Sequence, residues 1–212
     1  MTYEMVPGTV LAAGRSSRMG RSKALLPCGS GTVDTFLVRI MSSMRAGGIE
    51  DILVVGRPDD ADLQDAVART DLPVRFVANP DHERGQLTSI VAAVNTIDCP
   101  GVRGLLVMPV DMPLVQPATF AAVLRASAKH PGVIVRAVCG GRHGHPVIFD
   151  RACFDGLRRA DPAVGAKVVL HVHPVLDVDV PDTGVLKDVD SVEDYVALFG
   201  RTPDSPASGV PS

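Results

Sequence analysis

The sequence predicts an α/β protein in which helices cover a parallel or mostly parallel sheet. Short apolar segments rich in β-branched residues alternate with stretches in which apolar residues recur at helical spacing, a pattern typical of βα units. The chain has 212 residues, which is long enough for one α/β domain and short for two. Hydrophobic residues make up 46% and charged residues 21%, as in soluble globular proteins. We therefore expect one domain over residues 1–200.

The first half of the chain shows this alternation clearly. Residues 8–12 predict the first strand, and the helical spacing of apolar residues predicts a helix from about Thr32 to the Gly47-Gly48 pair. The same criteria predict strands at 52–55, 74–78 and 104–108, and helices at 60–69, 87–97 and 117–129. Pro117 suits the first turn of its helix, because that turn leaves its N–H groups unbonded. Asp111 consequently lies at the carboxyl end of a buried strand.

The second half is less regular. Residues 133–138 and 146–149 are predicted as two strands joined by the glycine-rich stretch 139–145, and short strands are predicted at 175–178 and 186–189. Ser191 and Asp194 have the spacing of a capping box, which predicts a C-terminal helix. Residues 201–212 are rich in proline, serine and glycine and are predicted to form a disordered tail.

Charge and composition exclude several classes of partner. The formal net charge of −3 gives no general attraction to nucleic acid or to anionic lipid, so any phosphate recognition must be local. No apolar run approaches the roughly 20 residues that span a bilayer. The N-terminal residues lack the basic stretch of a signal peptide, so a cytoplasmic location is expected. The four cysteines are widely spaced without a CxxC pair, which fits reduced thiols.

A loop of small and basic residues follows the first predicted strand. Residues 11–23 read Leu-Ala-Ala-Gly-Arg-Ser-Ser-Arg-Met-Gly-Arg-Ser-Lys. Small residues let backbone N–H groups approach the oxygens of a triphosphate, and Arg18 and Lys23 can neutralise charge that grows on a departing pyrophosphate. The loop lacks the GK[ST] of a Walker A motif and the GxGxxG of dinucleotide-binding proteins. Taken alone, its glycines are equally compatible with a structural turn.

The spacing LAAGxSxRMGxxK closely resembles the signature loop of the MobA-like nucleotidyltransferases, the family of molybdenum cofactor cytidylyltransferase and guanylyltransferase. The resemblance continues in the family's order over nearly the whole chain, in Asn79-Pro80, Gly85, Ser89, Pro-Val-Asp-Met-Pro at 109–113, Gly-His-Pro at 144–146 and Asp-Val-Asp-Ser-Val-Glu-Asp at 188–194. Ser191-Val192 stands where the family usually has Thr-Pro, and Val110 stands where glycine is common. Neither departure removes a chemical group on which the family's reaction depends.

The resemblance implies a Rossmann-like three-layer sandwich around a mixed, mostly parallel sheet, as in the nucleotide-diphospho-sugar transferases. It also implies that a nucleoside triphosphate binds over the first loop and that an acceptor phosphate attacks the α-phosphorus, with loss of pyrophosphate. Mg²⁺ is the implied cofactor, held by Asp111 and Asp190, with Asp188 as the competing second carboxylate. Lys23, Arg18 and Asp111 are the implied catalytic residues.

Binding roles for further residues also come from the resemblance. The implied nucleotide-binding residues are Leu11, Ala12, Ala13, Gly14, Arg15, Ser16, Lys23, Asn79, Gly85 and Ser89. The implied acceptor-binding residues are His145, Gly144 and Lys167. No nucleic-acid or membrane partner is expected, and a molybdoenzyme or a chaperone is the candidate partner that receives the product.

Plainer explanations of individual residues stay open. Asp111 lies between two prolines and is also compatible with a turn, and Asp190 is also compatible with a solvated charge near a helix start. The pairs His143/His145 and His171/His173 would lie on one side of a strand and suggest zinc. Zinc is nevertheless disfavoured, since the sequence supplies no nearby third ligand.

The choice of nucleotide depends on Ala13. Residues 11–14 read Leu-Ala-Ala-Gly, the form of the cytidylyltransferases, whereas the guanylyltransferases usually carry Leu-Ala-Gly-Gly. The methyl group of Ala13 narrows the space beside the base and favours a pyrimidine over a purine. CTP is therefore the expected nucleotide, and molybdopterin is the acceptor implied by this branch. The alternatives are GTP, another acceptor such as a sugar phosphate or methylerythritol phosphate, and a non-catalytic nucleotide-binding accessory protein.

Overall fold

Seven strands and seven helices are found in the computed structural model, which describes residues 5–15, 19, 22–28 and 34–203. The strands are β1 (Gly8–Leu11), β2 (Ile52–Gly56), β3 (Val74–Ala78), β4 (Gly104–Pro109), β5 (Ile134–Cys139), β6 (Arg142–Asp150) and β7 (Val175–Asp179). The helices are α1 (Phe36–Ala46), α2 (Ala61–Ala68), α3 (Gln86–Ile97), α4 (Pro117–Lys129), α5 (Phe154–Arg159), α6 (Lys167–Val172) and α7 (Val192–Phe199). Within the described residues, none of these helices is long and apolar enough to cross a membrane.

The strands form one mixed sheet in the order β3-β2-β1-β4-β6-β5-β7. Strand β6 is antiparallel to both of its neighbours, β4 and β5, and the other neighbouring pairs are parallel. The strand order reverses between β1 and β4, which lie side by side although three helices separate them in the chain. In open α/β sheets, ligands bind beyond the carboxyl ends of the strands at such a point.

The two faces of the sheet carry separate hydrophobic cores, because neighbouring residues of a strand point to opposite faces. Val10 of β1 packs in the core under α1, α2 and α4, whereas Leu11 packs in the core under α3, α5 and α6. Both side chains are buried. The predicted three-layer α/β architecture is therefore confirmed.

A third, smaller core lies beneath the segment 22–28 and packs it against α7. Its buried members include Leu26, Phe36 and Tyr195, and the rings of Phe36 and Tyr195 stack with centroids 6.0 Å apart. The hydroxyl of Tyr195 donates a hydrogen bond to the carbonyl oxygen of Pro27 over 2.8 Å. The C-terminal helix thus holds in place the segment that carries Lys23.

Element boundaries were predicted well where the chain alternates regularly. Strand β3 and helix α4 match the predicted residues, and the other elements before residue 130 agree to within a few residues. Helix α1 begins at Phe36, with the Thr35 hydroxyl accepting the N–H of Val38 over 3.3 Å. Thr32 lies outside the described residues, as does the part of the predicted tail at 204–212.

Two predictions for the second half were wrong. The predicted strand 186–189 is instead a 3₁₀ turn at Thr183–Leu186 followed by irregular chain, because Val189 donates its N–H to the carbonyl oxygen of Asp111 rather than to a strand. The predicted loop 139–145 is only a two-residue turn at Gly140-Gly141, whose φ angles of 57° and 75° suit a tight hairpin. Helices α5 and α6 were not predicted.

Candidate active site

The first cavity lies beyond the carboxyl ends of β1 and β4, where the strand order reverses. Its volume is about 520 Å³. The residues that line it come from the loops after these strands, from the start of α3 and from the segment before α7: Leu11, Ala13, Gly14, Lys23, His82, Gly85, Gln86, Ser89, Pro109, Val110, Asp111 and Asp190. Eight of the sequence-predicted nucleotide-binding or metal-binding residues, Lys23 among them, are thus brought to one space.

The glycine loop leaves its backbone open to this cavity. A methyl group placed on Gly14 would meet no heavy atom within 4 Å, so the missing side chain leaves room for a ligand rather than for protein atoms. Ala13 is 6% exposed and lines the cavity beside it. Ala12 instead packs in the core with Val10. The loop therefore presents small groups and backbone to a bound molecule.

The remaining loop residues differ in position. Arg15 is exposed and forms an ion pair with Glu83, which ties the loop to the turn that precedes α3. Both side chains are more than 60% exposed, so this pair contributes little stability. Ser16 and Arg18 lie outside the described residues, and their predicted roles stay predictions.

Lys23 lies between two carboxylates on the wall of the first cavity. Its Nζ is 3.4 Å from Oδ2 of Asp111 and 2.5 Å from Oδ1 of Asp190. The Lys23 side chain is 12% exposed, that of Asp111 is 27% exposed and that of Asp190 is 47% exposed. Burial raises the pKa of Asp111 above its ordinary value, and the nearby Lys23 ammonium opposes this rise. A cation close to Asp111 therefore favours its ionised form.

Backbone hydrogen bonds bring Asp190 to Asp111. Val189, the residue before Asp190, donates its N–H to the Asp111 carbonyl oxygen over 2.8 Å. The carboxylate of Asp194 accepts the N–H groups of Asp190 and Ser191 over 3.2 and 2.9 Å, completing the predicted capping box of α7. Hydrogen bonds from the Ser191 side chain and backbone lower the pKa of Asp194, so it remains an ionised acceptor.

The carboxylates of Asp111 and Asp190 could together hold a divalent cation in the first cavity. Mg²⁺ is commonly held by one or two carboxylates that leave its other positions to water and substrate phosphates. Among the described residues, no group of three His, Cys, Asp or Glu side chains is placed to hold a metal. His171 and His173 lie at the end of α6 and not on a strand, so the alternation that suggested zinc there is absent.

Residues near the start of α3 form another wall of the first cavity. Gly85 has a φ of 111°, a conformation that favours glycine, and it lines the first cavity with Ser89. Asn79 is 2% exposed and lies behind this wall, where its amide donates to the hydroxyl oxygens of Ser89 and Thr88 over 2.9 Å each. Asn79 therefore positions Ser89 rather than lining the cavity.

Two residues that line this wall, His82 and Gln86, were not predicted from the sequence. His82 belongs to the turn before α3, and Gln86 is the first residue of that helix. Gln86 directly follows Gly85, so its place beside the predicted glycine was the available signal. His82 had no comparable signal, because its approach to the cavity depends on the folding of a short irregular turn.

A second cavity of about 300 Å³ adjoins the first. It is lined by Gln86, Pro109, Asp111, Met112, Arg142, His143, Gly144, His145, Val185, Leu186 and Asp188. Gln86, Pro109 and Asp111 line both cavities. Two molecules bound in the two cavities would therefore meet beside the Asp111 carboxylate. Asp188 belongs to the second cavity, whereas Asp190 lies in the first.

The predicted acceptor residues separate in the structure. Gly144 and His145 line the second cavity on β6. A methyl group on Gly144 would lie 2.0 Å from the carbonyl oxygen of Val185, so glycine is needed for the close approach of the 3₁₀ turn. Lys167 is exposed at the start of α6 and is absent from the described residues that line either cavity. Arg142 and His143 supply the basic side chains there instead.

His145 is expected to make stability depend on pH. Burial lowers its pKa from 6.5 to about 4, so the folded protein stays unprotonated there at pH values at which the unfolded chain takes up a proton. Stability should consequently fall as the pH drops from 6.5 to about 4, by at most about 3 kcal/mol from this residue. Urea unfolding at several pH values should show a flatter dependence in His145→Gln than in the wild type.

The control for this prediction is His130→Gln, which changes an exposed histidine at the end of α4. Its pH dependence should follow the wild type. If the pH dependence of the free energy of unfolding becomes equally flat in both variants, or does not change in His145→Gln, His145 is not the cause of that dependence.

Comparison with known proteins identifies the family. Residues 8–178 match the family described as MobA-like NTP transferase domain. The chain belongs to this MobA-like family. It is therefore a nucleotidyltransferase by family, which agrees with the resemblance of its glycine loop.

Relatives of this MobA-like transferase differ in the base that their names imply. A probable molybdenum cofactor guanylyltransferase from Opitutus terrae is 33% identical over 136 residues, which is 63% of this chain and 61% of the relative. The molybdenum cofactor cytidylyltransferase of Escherichia coli K12 is 26% identical over 196 residues, 91% of this chain and 94% of the relative. The chain thus spans less than two thirds of the first relative and nearly all of the second.

Solved structures share the fold. The crystal structure of Rv0371c from Mycobacterium tuberculosis H37Rv superimposes with a TM-score of 0.77 at 28% identity, covering 93% of this chain and all of that one. A second structure of Rv0371c, in complex with manganese, has a TM-score of 0.72 at 26% identity and covers 92% of this chain and 98% of that one. The MobA-like domain is therefore similar to these proteins over nearly its whole length.

Proposed function

We propose that this protein is a Mg²⁺-dependent cytidylyltransferase that transfers CMP from CTP to molybdopterin or molybdenum cofactor and releases pyrophosphate. The observation that carries the proposal is the position of Asp111, which lines both cavities and lies within 3.4 Å of Lys23. A nucleotide in the first cavity and an acceptor phosphate in the second would meet at this carboxylate. A protein that only binds a nucleotide would not need a carboxylate that lines both cavities.

The reaction needs alignment and charge neutralisation more than a protein nucleophile. An oxygen of the acceptor phosphate attacks the α-phosphorus of the nucleotide, a new P–O bond forms, and the bond to the bridging oxygen of pyrophosphate breaks. Lys23, held between Asp111 and Asp190, would neutralise negative charge that moves onto the leaving pyrophosphate. The open backbone at Gly14 leaves room for the triphosphate.

The Asp111 and Asp190 carboxylates would hold the metal. Their fit to a cation is supported by Lys23, whose ammonium already lies between them. A bound Mg²⁺ would stabilise charge on the phosphates that it contacts. The manganese complex of Rv0371c supports a divalent cation in a relative of the same fold.

The preference for CTP is supported by Ala13, a residue that lines the first cavity. The named relatives include a guanylyltransferase as well as a cytidylyltransferase, so GTP is the second candidate. Their names support molybdenum cofactor as the acceptor for either base. Pyrophosphate release, measured with each of the four nucleoside triphosphates and with molybdopterin, sugar phosphates and methylerythritol phosphate, tests the proposal. Release that is fastest with CTP and depends on molybdopterin and Mg²⁺ is the expected result.

Ala13→Gly is expected to narrow the preference for CTP over GTP without reversing it. Removing one methyl group opens space beside the base, and a change of this size is worth roughly 1–3 kcal/mol. The ratio of kcat/KM for CTP to that for GTP should therefore fall by on the order of tenfold. Competition between the two nucleotides with one acceptor measures this ratio.

Ala12→Gly is the matched control, because Ala12 packs in the core and does not line the first cavity. It should lower the free energy of unfolding and leave the ratio unchanged. A wild-type protein that prefers GTP would overturn the cytidylyl assignment but not the nucleotidyltransferase family.

A further inference from the structure

The segment 183–190 connects the two cavities but belongs to no strand. Val185 and Leu186, in its 3₁₀ turn, line the second cavity, and Asp190 at its end lines the first. The position of this segment therefore determines both the shape of the second cavity and the distance of Asp190 from Asp111. Because no sheet ladder holds this segment, other contacts must fix it.

The buried carboxylate of Asp182 provides these contacts at the start of the segment. Asp182 is 8% exposed, and its Oδ2 accepts the N–H of Gln116 over 2.9 Å and the hydroxyl of Thr119 over 2.6 Å. Its Oδ1 accepts the N–H of Gly184 over 2.9 Å. One oxygen thus binds the start of α4 and the other binds the 3₁₀ turn, so the carboxylate joins the two elements.

Close packing permits little movement around this joint. A methyl group on Gly184 would lie 2.4 Å from the carbonyl oxygen of Leu114, and one on Gly144 would lie 2.0 Å from that of Val185. The turn is therefore in close contact with the chain before α4 on one side and with β6 on the other. At the far end, the hydrogen bond from Val189 to Asp111 holds the segment in place.

We propose that Asp182 is a positioning residue for nucleotidyl transfer. It holds the segment 183–190 so that Asp190 faces Asp111 in the first cavity and so that Val185 and Leu186 complete the second cavity. This inference rests on the proposed function for its catalytic consequence. Its structural consequence, the position of the segment, can be measured without activity.

Asp182→Asn is the informative substitution because it keeps the size of the side chain. Two of the three donors are backbone N–H groups, and they bind opposite oxygens of the carboxylate. Whichever way an asparagine amide is turned, its NH₂ group faces one of these N–H groups. Either the N–H of Gln116 or that of Gly184 must then lose its acceptor.

Asp150→Asn is the matched control. Asp150 is also 8% exposed, and its two oxygens accept the N–H groups of Ala152 and Gly132 over 2.9 Å each. Its pattern of hydrogen bonds is thus similar, but it lines neither cavity among the described residues. Thr119→Val is a milder second variant, since it removes only one donor to Asp182.

Hydrogen exchange of the Val189 N–H provides the first readout. Exchange should be about tenfold faster in Asp182→Asn, because the loss of one hydrogen bond favours local opening. It should be intermediate in Thr119→Val and unchanged in Asp150→Asn. Mn²⁺ binding, measured without nucleotide, should weaken by about 10–100-fold in Asp182→Asn alone, as expected when a partner that orients a metal ligand is lost. Unchanged Val189 exchange in both Asp182→Asn and Thr119→Val would overturn the proposal.

Steady-state kinetics separate positioning from a general loss of stability. Asp182→Asn should raise KM for the acceptor and lower kcat, with little change in KM for the nucleotide, whereas Asp150→Asn should lower only Tm. Equal changes in the two variants would overturn the proposal. A wild type that releases no pyrophosphate with any nucleotide would instead contradict the proposed function, and Val189 exchange would still decide the role of Asp182.

Discussion

Asp111→Asn is expected to lower kcat/KM for nucleotidyl transfer by about 10³-fold or more while the protein stays folded. The amide keeps the size of the side chain but removes the charge at the point shared by the two cavities. The fold should tolerate this change, because burial raises the pKa of Asp111 and its ionised form therefore costs the folded state free energy near neutral pH. Measurements of kcat and KM at saturating and limiting Mg²⁺, together with Tm, test both statements.

The controls for this prediction also distinguish the two candidate second carboxylates. Asp190→Asn should lower activity in the same way, because the Asp190 carboxylate lies 2.5 Å from Lys23 in the first cavity. Asp188→Asn should have a smaller effect, since Asp188 is exposed and lines the second cavity. A large loss in Asp188→Asn with little in Asp190→Asn would reverse this assignment. Unchanged activity of Asp111→Asn at limiting Mg²⁺ would show that Asp111 is not a ligand of the proposed metal.

Lys23→Ala is expected to lower kcat by about 10²–10³-fold, with a smaller rise in KM for the nucleotide. Pyrophosphate gains negative charge as its bond to the α-phosphorus breaks, so a cation beside it stabilises the transition state more than the ground state. The Asp111 and Asp190 carboxylates hold the Lys23 ammonium beside the first cavity, where the proposed nucleotide would bind. Single-turnover measurements of the chemical step, alongside nucleotide affinity, separate the two effects.

Lys129→Ala is the matched control, because it removes a lysine charge from an exposed position in the last turn of α4. Its kinetic constants should stay close to those of the wild type. If Lys23→Ala raises KM and leaves kcat unchanged, Lys23 acts only in binding the nucleotide.

The sequence predicted the α/β fold and, through the family resemblance, the part of the site that follows β1 and β4. The alternation of apolar strands and helices predicted the α/β sandwich, since each periodicity reflects which face of an element is buried. The glycine loop and Asp111 each lie just after a buried strand, and the resemblance of their motifs to the MobA-like family indicated their roles. Parallel strands bring their carboxyl ends to one edge of the sheet, and the pairing of β1 with β4 brings these two sequence features together there.

Only the tertiary structure decided which residues of the second half join that site. Asp188 and Asp190 are two positions apart in the chain, yet they line different cavities, and Val189 between them donates its N–H to the Asp111 carbonyl oxygen. Lys167, predicted beside the acceptor, lies on α6 away from both cavities. The contacts of irregular chain depend on single hydrogen bonds and close approaches such as that of Gly144 to Val185, which leave no periodic pattern in the sequence.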